Sequence, residues 1–324
     1  MNTLDKSVLA TIVYYDIFDF PMTLQEVFNF LINPQRIDPK ESYQLVNLED
    51  VLKSLNFLLK SGLVESWEGF YFLKSRKIVQ ARLEKNKIAE EKWRKVRKYF
   101  FWLQSLPYIE AVFASGSLAL GHTSDESDLD VLVVVKHSHI WFARLLLTLA
   151  TSFLGIRRSR YETVAPNKIC LNHYITTDSL RIPFESMYNA QTYAHLVPIH
   201  FRSEKTVEEF YKQNQWLLKF IYQWQEMSFF QFRKAKRSRF LLAIAGLSEK
   251  FFNFTGLAKV FEKISRKIQF SRINTQLPGR VTINDRQLEF HPYSIEKTIL
   301  EKYNKTIANM GFWGSYRELD SGLK

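Results

Sequence analysis

The sequence predicts an α+β fold, and three observations support that prediction. The first 80 residues combine helical periodicity with one short hairpin pattern. Two runs of apolar, β-branched residues flank a polar loop in the middle of the chain, as expected for neighbouring strands. Most of the C-terminal residues have the pattern of helices. We therefore expect a small helical module, a central α/β sheet and a mainly helical C-terminal region.

The composition is typical of a globular chain. Of its 324 residues, 46% are hydrophobic and 24% are charged, which excludes disordered and fibrous classes. The single cysteine, Cys170, excludes a disulfide scaffold, and a reducing cytoplasm is the simplest compartment consistent with it. The apolar run from Ile140 to Ile156 is interrupted by Arg144, so it is too short to cross a membrane. We expect a cytoplasmic protein with no membrane partner.

The N-terminal segment has the signals of three helices. The first is predicted over Leu4 to Phe18. Thr23 can cap a second helix over Leu24 to Leu31, because a glutamate follows at the capping-box position. Asn47 can cap a third helix, which Gly62 ends.

A β-hairpin pattern follows these helices. Leu63 to Glu65 and Phe70 to Leu73 are predicted strands, and Glu68-Gly69 supplies the turn. Three helices followed by a two-stranded wing resemble a winged helix-turn-helix domain, which we assign to residues 1–80. Many such modules bind DNA, and others mediate protein contacts.

A charged helix is predicted to join this module to the rest of the chain. The helical pattern covers Ser75 to Leu106 and ends before Pro107. Since residues 1–80 are assigned to the winged-helix-like module, we assign residues 81–107 as the linking helix. Its many Lys and Glu residues are expected on its solvated surface.

The next segment, residues 108–200, has an α/β pattern. Strands are predicted over Ile109 to Ala114, Leu129 to Val135 and Lys168 to Thr176, with an apolar helix over Ile140 to Leu154. Residues 201–324 are predicted to be mainly helical and basic, with only weak strand-like alternation between Val281 and Phe290.

The chain carries a net charge of +12, and the surplus is concentrated. Fifteen basic and six acidic residues lie between Arg202 and Arg272. Such a field attracts phosphates of nucleic acid, nucleotides or acidic lipid headgroups, although a solvated helix face would have the same pattern. Its densest cluster is predicted to lie on a helix and comprises Arg233, Lys234, Lys236, Arg237 and Arg239.

One segment combines residues suited to phosphate and metal chemistry. A hydrophobic strand leads into Gly116-Ser117, and ten residues later Asp128-Leu129-Asp130 opens a second strand. Because side chains alternate along a strand, both aspartates point to the same face. Two such carboxylates suit Mg²⁺ or Mn²⁺. Gly116 allows close approach of a phosphate, and Ser117 adds a hydroxyl.

This arrangement resembles the nucleotidyltransferase superfamily of DNA polymerase beta, kanamycin nucleotidyltransferase and the minimal nucleotidyltransferases. The match covers Gly116, Ser117, Asp128 and Asp130, and both flanking strands. The resemblance implies transfer of a nucleoside monophosphate from a nucleoside triphosphate to an acceptor, which the sequence does not identify. Asp128 and Asp130 would hold two divalent ions, and Gly116 and Ser117 would hold the phosphates.

The family usually has a third carboxylate on a later strand, and this chain departs from that pattern. The strand Lys168 to Thr176 contains no acid. Simple alternation puts Cys170, Asn172 and Tyr174 on one face and His173 on the other. Asn172 is then the best occupant of the third position, and the flanking acids, Glu162 and Asp178, are alternatives.

The leading hypothesis is therefore a metal-dependent nucleotidyltransferase. The main alternative is a winged-helix DNA-binding regulator whose transferase-like domain binds nucleotide without turnover. An antitoxin-like partner of a toxin protein is a third hypothesis, because minimal nucleotidyltransferases often act in such pairs. Nucleic acid could bind the N-terminal module or the basic C-terminal region.

Overall fold

A computed structural model describes residues 1–39, 45–159, 162, 164–224, 232–273, 280–291, 294–311 and 317–319. It contains both helices and strands, and the strands form two sheets, which confirms the α+β class. No described helix has both the length and the apolarity needed to span a membrane.

Two of the N-terminal helices begin at the predicted caps, Thr23 and Asn47, and the first begins at Thr3, one residue before the predicted Leu4. The short helix Pro34–Ile37 is not predicted from the sequence. Asn2, Thr23 and Asn47 each form a capping box, in which side chain and backbone groups satisfy each other. Three short strands pair antiparallel in the order β1-β3-β2 beside these helices. The elements are α1 (Thr3–Asp16), β1 (Met22–Thr23), α2 (Leu24–Asn29), α3 (Pro34–Ile37), α4 (Leu48–Lys60), β2 (Val64–Trp67) and β3 (Phe70–Leu73).

The long helix α5 (Val79–Leu103) connects this region to a six-stranded sheet. The strand order is β7-β4-β5-β6-β9-β8, and all neighbours pair antiparallel except β5 and β6, which are parallel. The first elements of this part are β4 (Ile109–Ala114), α6 (Gly116–Ala119), β5 (Leu129–Val135), α7 (Ile140–Phe153) and β6 (Ile169–Thr176).

The C-terminal part is mostly helical, but it also completes the sheet. A five-residue 3-10 helix, Gln215–Lys219, follows α9. The remaining elements are α8 (Met187–Ala194), β7 (Val197–Phe201), α9 (Glu204–Gln213), α10 (Arg239–Phe254), α11 (Leu257–Phe270), β8 (Arg280–Ile283), β9 (Gln287–His291) and α12 (Glu296–Asn309).

The sequence predicts no strand at β7, because the pattern from about Phe184 to Gln276 is mainly helical. The five residues of this strand include Pro198, which cannot donate a backbone hydrogen bond. A strand at the edge of a sheet has one side unpaired, and β7 occupies that position. The proline is therefore tolerated there, and it obscures the strand pattern in the sequence.

The prediction that the basic cluster lies on a helix is wrong for four of its five residues. Helix α10 begins at Arg239, so Arg233, Lys234, Lys236 and Arg237 precede it. The Arg233 guanidinium instead pairs with Glu90 on α5, with Nη1 2.8 Å from Oε2. The cluster is thus a connecting segment, and Arg233 is partly neutralised.

Hydrophobic cores lie on both faces of the six-stranded sheet. Phe113, Leu132 and Ile175 face one core, which also contains side chains of α1, α2 and α4. Val112, Val133 and Tyr174 face the other, together with α5, α7 and α11. The N-terminal helices therefore share a core with the sheet.

A β-bulge in β6 changes which of its side chains face the first core. Asp130 pairs with Cys170, but Leu132 pairs with His173, so β6 has one extra residue in this interval. The extra residue reverses the alternation beyond Cys170. The prediction that Tyr174 shares a face with Cys170 is therefore wrong, and so is the assignment of His173 to the opposite face.

Candidate functional site

The two aspartates of the motif lie together at the start of β5. Asp128 directly precedes the strand and Asp130 is its second residue. Carboxylate oxygens of both residues and the sulfur of Cys170 all lie within 4.8 Å of one another. The expectation that Asp128 and Asp130 point to one face is therefore confirmed.

Gly116 lies against this pair and begins the short helix α6. Its φ is +60°, a left-handed conformation that favours glycine. A Cβ atom at this position would lie 3.4 Å from Oδ2 of Asp130. The backbone N–H of Ser115 donates to the carbonyl oxygen of Asp130 at 3.0 Å. The turn that contains Gly116 and Ser117 is thus fixed beside the carboxylates.

Helix α5 holds the loop that joins α6 to β5. The buried Lys92 ammonium donates to the carbonyl oxygen of Asp125 at 3.2 Å and also contacts that of Ser127. The indole N–H of Trp93 donates to the carbonyl oxygen of Leu118 at 3.2 Å. Lys92 was expected on a solvated surface, and that expectation is wrong because its ammonium satisfies loop carbonyls.

The environment of Asp130 disfavours its ionised form. Burial and the neighbouring Asp128 carboxylate raise its pKa to about 7. A hydrogen bond from the Cys170 thiol, the charge of Arg158 and the Asn172 amide lower this pKa but do not cancel these effects. A divalent cation between the two carboxylates would stabilise the charged form, because it would offset both the desolvation and the repulsion.

Arg158 supplies the positive charge nearest to the pair. Its Nη1 lies 2.5 Å from Oδ2 of Asp128 and 3.9 Å from Sγ of Cys170. It comes from the segment between α7 and β6. The Arg158 guanidinium thus already contacts the Asp128 carboxylate, which would be a ligand of a bound metal ion.

The third position of the site is occupied by a thiol and an amide. Cys170 is the register partner of Asp130 across the two parallel strands. The bulge also brings Asn172 close, with Nδ2 3.4 Å from Oδ1 of Asp130. The structure therefore confirms that Asn172 adjoins the pair, and it adds Cys170, for which the sequence predicts no role in the site.

The two flanking acids make other contacts. The Glu162 carboxylate contacts Lys168 and accepts from the backbone N–H of Ser159 at 2.7 Å. Asp178 pairs with Arg286, with 3.6 Å between Oδ2 and Nε. Within the described residues, neither acid is part of the carboxylate cluster.

A cavity of about 270 Å³ adjoins the carboxylates. Gly116, Asp130 and Asn172 line one part of it, and Arg280 and His291 line another. Its size suits a small substrate group rather than a large cofactor.

A buried charge network lies on the far side of this cavity. Arg280 Nε is 2.6 Å from Oε1 of the fully buried Glu289, and its Nη1 is 3.6 Å from Oε2 of Glu296. Burial lowers the pKa of His173 to about 3 and that of His291 to about 4, so both imidazoles are neutral. These rings are within reach of Glu289, but its closest partner is the guanidinium, so we interpret the group as a neutralised structural network.

The sequence does not indicate several residues of the site. Arg158 is one of three arginines in a short loop, and Lys92 is one of many lysines on α5. Arg280 and His291 come from strands with weak alternation, more than 100 residues after the motif. No local pattern distinguishes these residues, because the pairing of β9 with β6 and of β8 with β9 brings the last two to the cavity.

The donor set of the carboxylate cluster fits a hard divalent cation. Asp128 and Asp130 offer oxygen ligands, which Mg²⁺ and Mn²⁺ prefer. Burial raises the pKa of the Cys170 thiol far above neutrality, so this group is protonated and is a poor ligand. Ions at this site would thus be held by two carboxylates, with open positions for phosphate oxygens.

Comparisons with known proteins give no relative for this chain. No family model, no curated protein and no solved structure matches it.

Proposed function

We propose that the protein is a metal-dependent nucleotidyltransferase that moves a nucleoside monophosphate from a nucleoside triphosphate to an acceptor. The observation that supports this proposal best is the proximity of the Asp128 and Asp130 carboxylates beside the Gly116 turn. Two carboxylates that hold Mg²⁺ next to an accessible backbone turn are the parts that triphosphate chemistry requires.

Each element of the site has a defined task in this proposal. Asp128 and Asp130 would hold Mg²⁺, or Mn²⁺ in its place, and the bound ion would supply charge neutralisation for the triphosphate and the leaving pyrophosphate. The turn at Gly116 and Ser117 contacts the β and γ phosphates. The cavity lined by Asn172 and His291 is the space that remains for the acceptor group.

Nucleotide binding and transfer test this proposal. Calorimetry should detect Mg²⁺-dependent binding of nucleoside triphosphates by the wild type and none by the Asp128→Ala/Asp130→Ala variant. Asp178→Asn is the matched control, because this acid pairs with Arg286 outside the site. Unchanged binding by the double variant would contradict the proposal.

Transfer is measured separately with labelled triphosphates and a panel of small molecules, RNA and the protein itself. We expect label transfer that is lost in Asp128→Asn and retained in Asp178→Asn. The panel is necessary because the identity of the acceptor is open.

A second candidate function is nucleotide binding without turnover. It is favoured by the occupants of the third position, Cys170 and Asn172, because neither a protonated thiol nor an amide is a general base at neutral pH. In that case, Mg²⁺-dependent binding persists and no acceptor is labelled. Cys170→Asp supplies the missing carboxylate, and transfer gained by that variant would support this second function.

We also propose that residues 1–80 form a winged-helix module with α4 as the element presented to DNA. Lys53, Asn56 and Lys60 are exposed on α4, but Ser54 on the same helix is buried. Lys53 also pairs with Glu49, with 2.8 Å between Nζ and Oε1. The face is therefore only weakly basic, and we expect weak, salt-sensitive binding to duplex DNA. Fluorescence anisotropy at low salt tests this, and the absence of any binding would leave a protein-contact module.

A further inference from the structure

The helical hairpin of α10 and α11 exposes large apolar side chains on its outward surface. On α10 they recur every three or four residues, so they form one stripe along the helix. The side chain of Phe240 is 74% exposed, that of Leu247 is 65% exposed and that of Phe254 is 93% exposed. The outward apolar residues of the hairpin, which we call the hairpin stripe, are Phe240, Ile244, Leu247, Phe251, Phe254, Val260, Ile264 and Ile268.

The hairpin stripe is separate from the face by which these helices pack against the rest of the protein. Leu241, Ala245 and Ala258 are buried and attach the hairpin to the rest of the protein. Phe252 and Phe261 contact Phe142 of α7 as well, at ring-centroid distances of 5.3 Å and 5.2 Å. The hairpin therefore has an inward apolar face in addition to the stripe. A second apolar face on a docked helix pair indicates a binding surface.

The charges on the hairpin are sorted by sign. Residues 239–270 are all described, and every exposed charged side chain among them is basic: Arg239, Lys250, Lys259, Lys263, Arg266 and Lys267. The two acids of the hairpin have inward partners. Glu249 pairs with Arg202, with 2.5 Å between Oε1 and Nη1, and Glu262 accepts from backbone N–H groups of α7.

We propose that this hairpin docks on an anionic lipid surface. Apolar side chains with aromatic rings would enter the boundary between headgroups and acyl chains, and the surrounding lysines and arginines would contact lipid phosphates. The end of α10 and its connection to α11, residues 253–256, are exposed throughout and include Phe254, the last residue of α10. The cations would bind nucleic acid, but nucleic acid offers no apolar partner for the hairpin stripe. An acidic protein groove would have to complement both the cations and the apolar side chains.

This attachment is compatible with the finding that no helix among the described residues could span a membrane. We expected no membrane partner because no part of the sequence is long and apolar enough to cross a bilayer. A pair of amphipathic helices that lies in the plane of the surface needs no such segment.

Co-sedimentation of the full chain with lipid vesicles tests the proposal. The two vesicle types are phosphatidylcholine alone and phosphatidylcholine with roughly a third phosphatidylglycerol, which supplies the negative surface. We expect binding to the anionic vesicles that weakens with added salt, and much weaker binding to the neutral ones. No sedimentation with anionic vesicles at low salt would overturn the proposal.

Two sets of exposed substitutions separate the apolar and the electrostatic contributions. Phe251→Ser/Phe254→Ser should lower the partition coefficient at least about tenfold, whereas the matched control Phe57→Ser, an exposed residue of α4, should leave it unchanged. Lys259→Glu/Lys263→Glu/Lys267→Glu should lower it about a hundredfold or more. Its control is the reversal of three exposed lysines on α5, namely Lys87, Lys95 and Lys98.

The remaining outcomes point to other partners and would overturn the lipid proposal. Equal losses in the lysine reversals on α11 and on α5 would show that only net charge matters. A dimer in sedimentation equilibrium that Phe251→Ser/Phe254→Ser dissociates, without vesicle binding, would make the stripe a contact between two copies. If duplex or single-stranded nucleic acid displaces the protein from vesicles, and binds the wild type and Phe251→Ser/Phe254→Ser equally well, the cations would be assigned to nucleic acid.

Discussion

The guanidinium of Arg158 contacts the Asp128 carboxylate, with 2.5 Å between Nη1 and Oδ2. This ion pair places a positive charge at the position where a divalent cation would meet Asp128. The same guanidinium lies 3.9 Å from the sulfur of Cys170, so it spans two of the three residues of the cluster. Metal binding at Asp128 therefore requires Arg158 to move or to share the carboxylate.

Substitution of Arg158 should change metal affinity in the absence of nucleotide. Arg158→Gln removes the competing cation, so we expect Mn²⁺ to bind about three- to tenfold more tightly. Electron paramagnetic resonance or calorimetry measures this affinity. Arg157→Gln is the matched control, because Arg157 donates to Ser152 and not to the cluster. Weaker Mn²⁺ binding in Arg158→Gln would instead mean that this residue positions Asp128 for the metal.

The raised pKa of Asp130 should make the metal-free protein less stable as the pH rises. An unfolded aspartate titrates near pH 4, whereas burial and Asp128 raise the pKa of folded Asp130 to about 7. Between these values the folded state holds a proton that the unfolded state has lost, so stability decreases with pH across this window. Thermal unfolding with a chelator present should show a fall from pH 5 to pH 8 that is smaller in Asp130→Asn.

Asp178→Asn controls for carboxylates outside the site and should retain the wild-type pH dependence. Identical slopes in the wild type and Asp130→Asn would contradict the raised pKa. The same proton links pH to metal binding, since Mg²⁺ must displace it. Below pH 7 the apparent affinity for Mg²⁺ should therefore fall by about tenfold per pH unit.

Arg82 connects the N-terminal module to the loop of the candidate site. Its guanidinium pairs with Glu26 at 2.6 Å, donates to the carbonyl oxygen of Gly121 at 3.1 Å and lies 3.8 Å from the ring centroid of Phe20. Arg82→Met should lower the free energy of unfolding by about 2 kcal/mol, because it leaves the partly buried Glu26 without its cation. Chemical denaturation measures the change, and Arg94→Met, an exposed change on α5, serves as the control. Equal stability of the two variants would rule out this coupling.

Local patterns in the sequence predict most of the elements and the centre of the site. The capping boxes at Thr23 and Asn47 identify two helix starts, and the spacing of Gly116 from Asp128 identifies the pair of strands. Such signals lie within a few residues of the element that they specify. These elements can therefore be predicted without knowledge of how the rest of the chain folds.

The features that the sequence does not predict depend on distant pairing. The bulge in β6 exists because this strand has one more residue than β5 between two register pairs, and it moves His173 to the face of Asp130. A strand considered alone gives no sign of it. The contact of Arg158 with Asp128 joins residues 30 positions apart, and no periodicity connects a loop arginine to a strand carboxylate.

The attachment of α11 to α7 depends on a carboxylate that caps a helix from outside it. The two oxygens of Glu262 accept from the backbone N–H groups of Trp141 and Phe142, at 3.0 Å and 2.8 Å. These groups belong to the first turn of α7, whose own N-cap residue, His139, provides no side-chain cap. Glu262→Ala should therefore lower the free energy of unfolding by about 1–2 kcal/mol, and Glu262→Gln by less, since its amide oxygen still accepts one bond. Lys263→Ala is the control on the exposed side of α11. Thermal and urea unfolding of the three variants measure the effect, and an alanine variant as stable as this control would show that α7 needs no cap from α11.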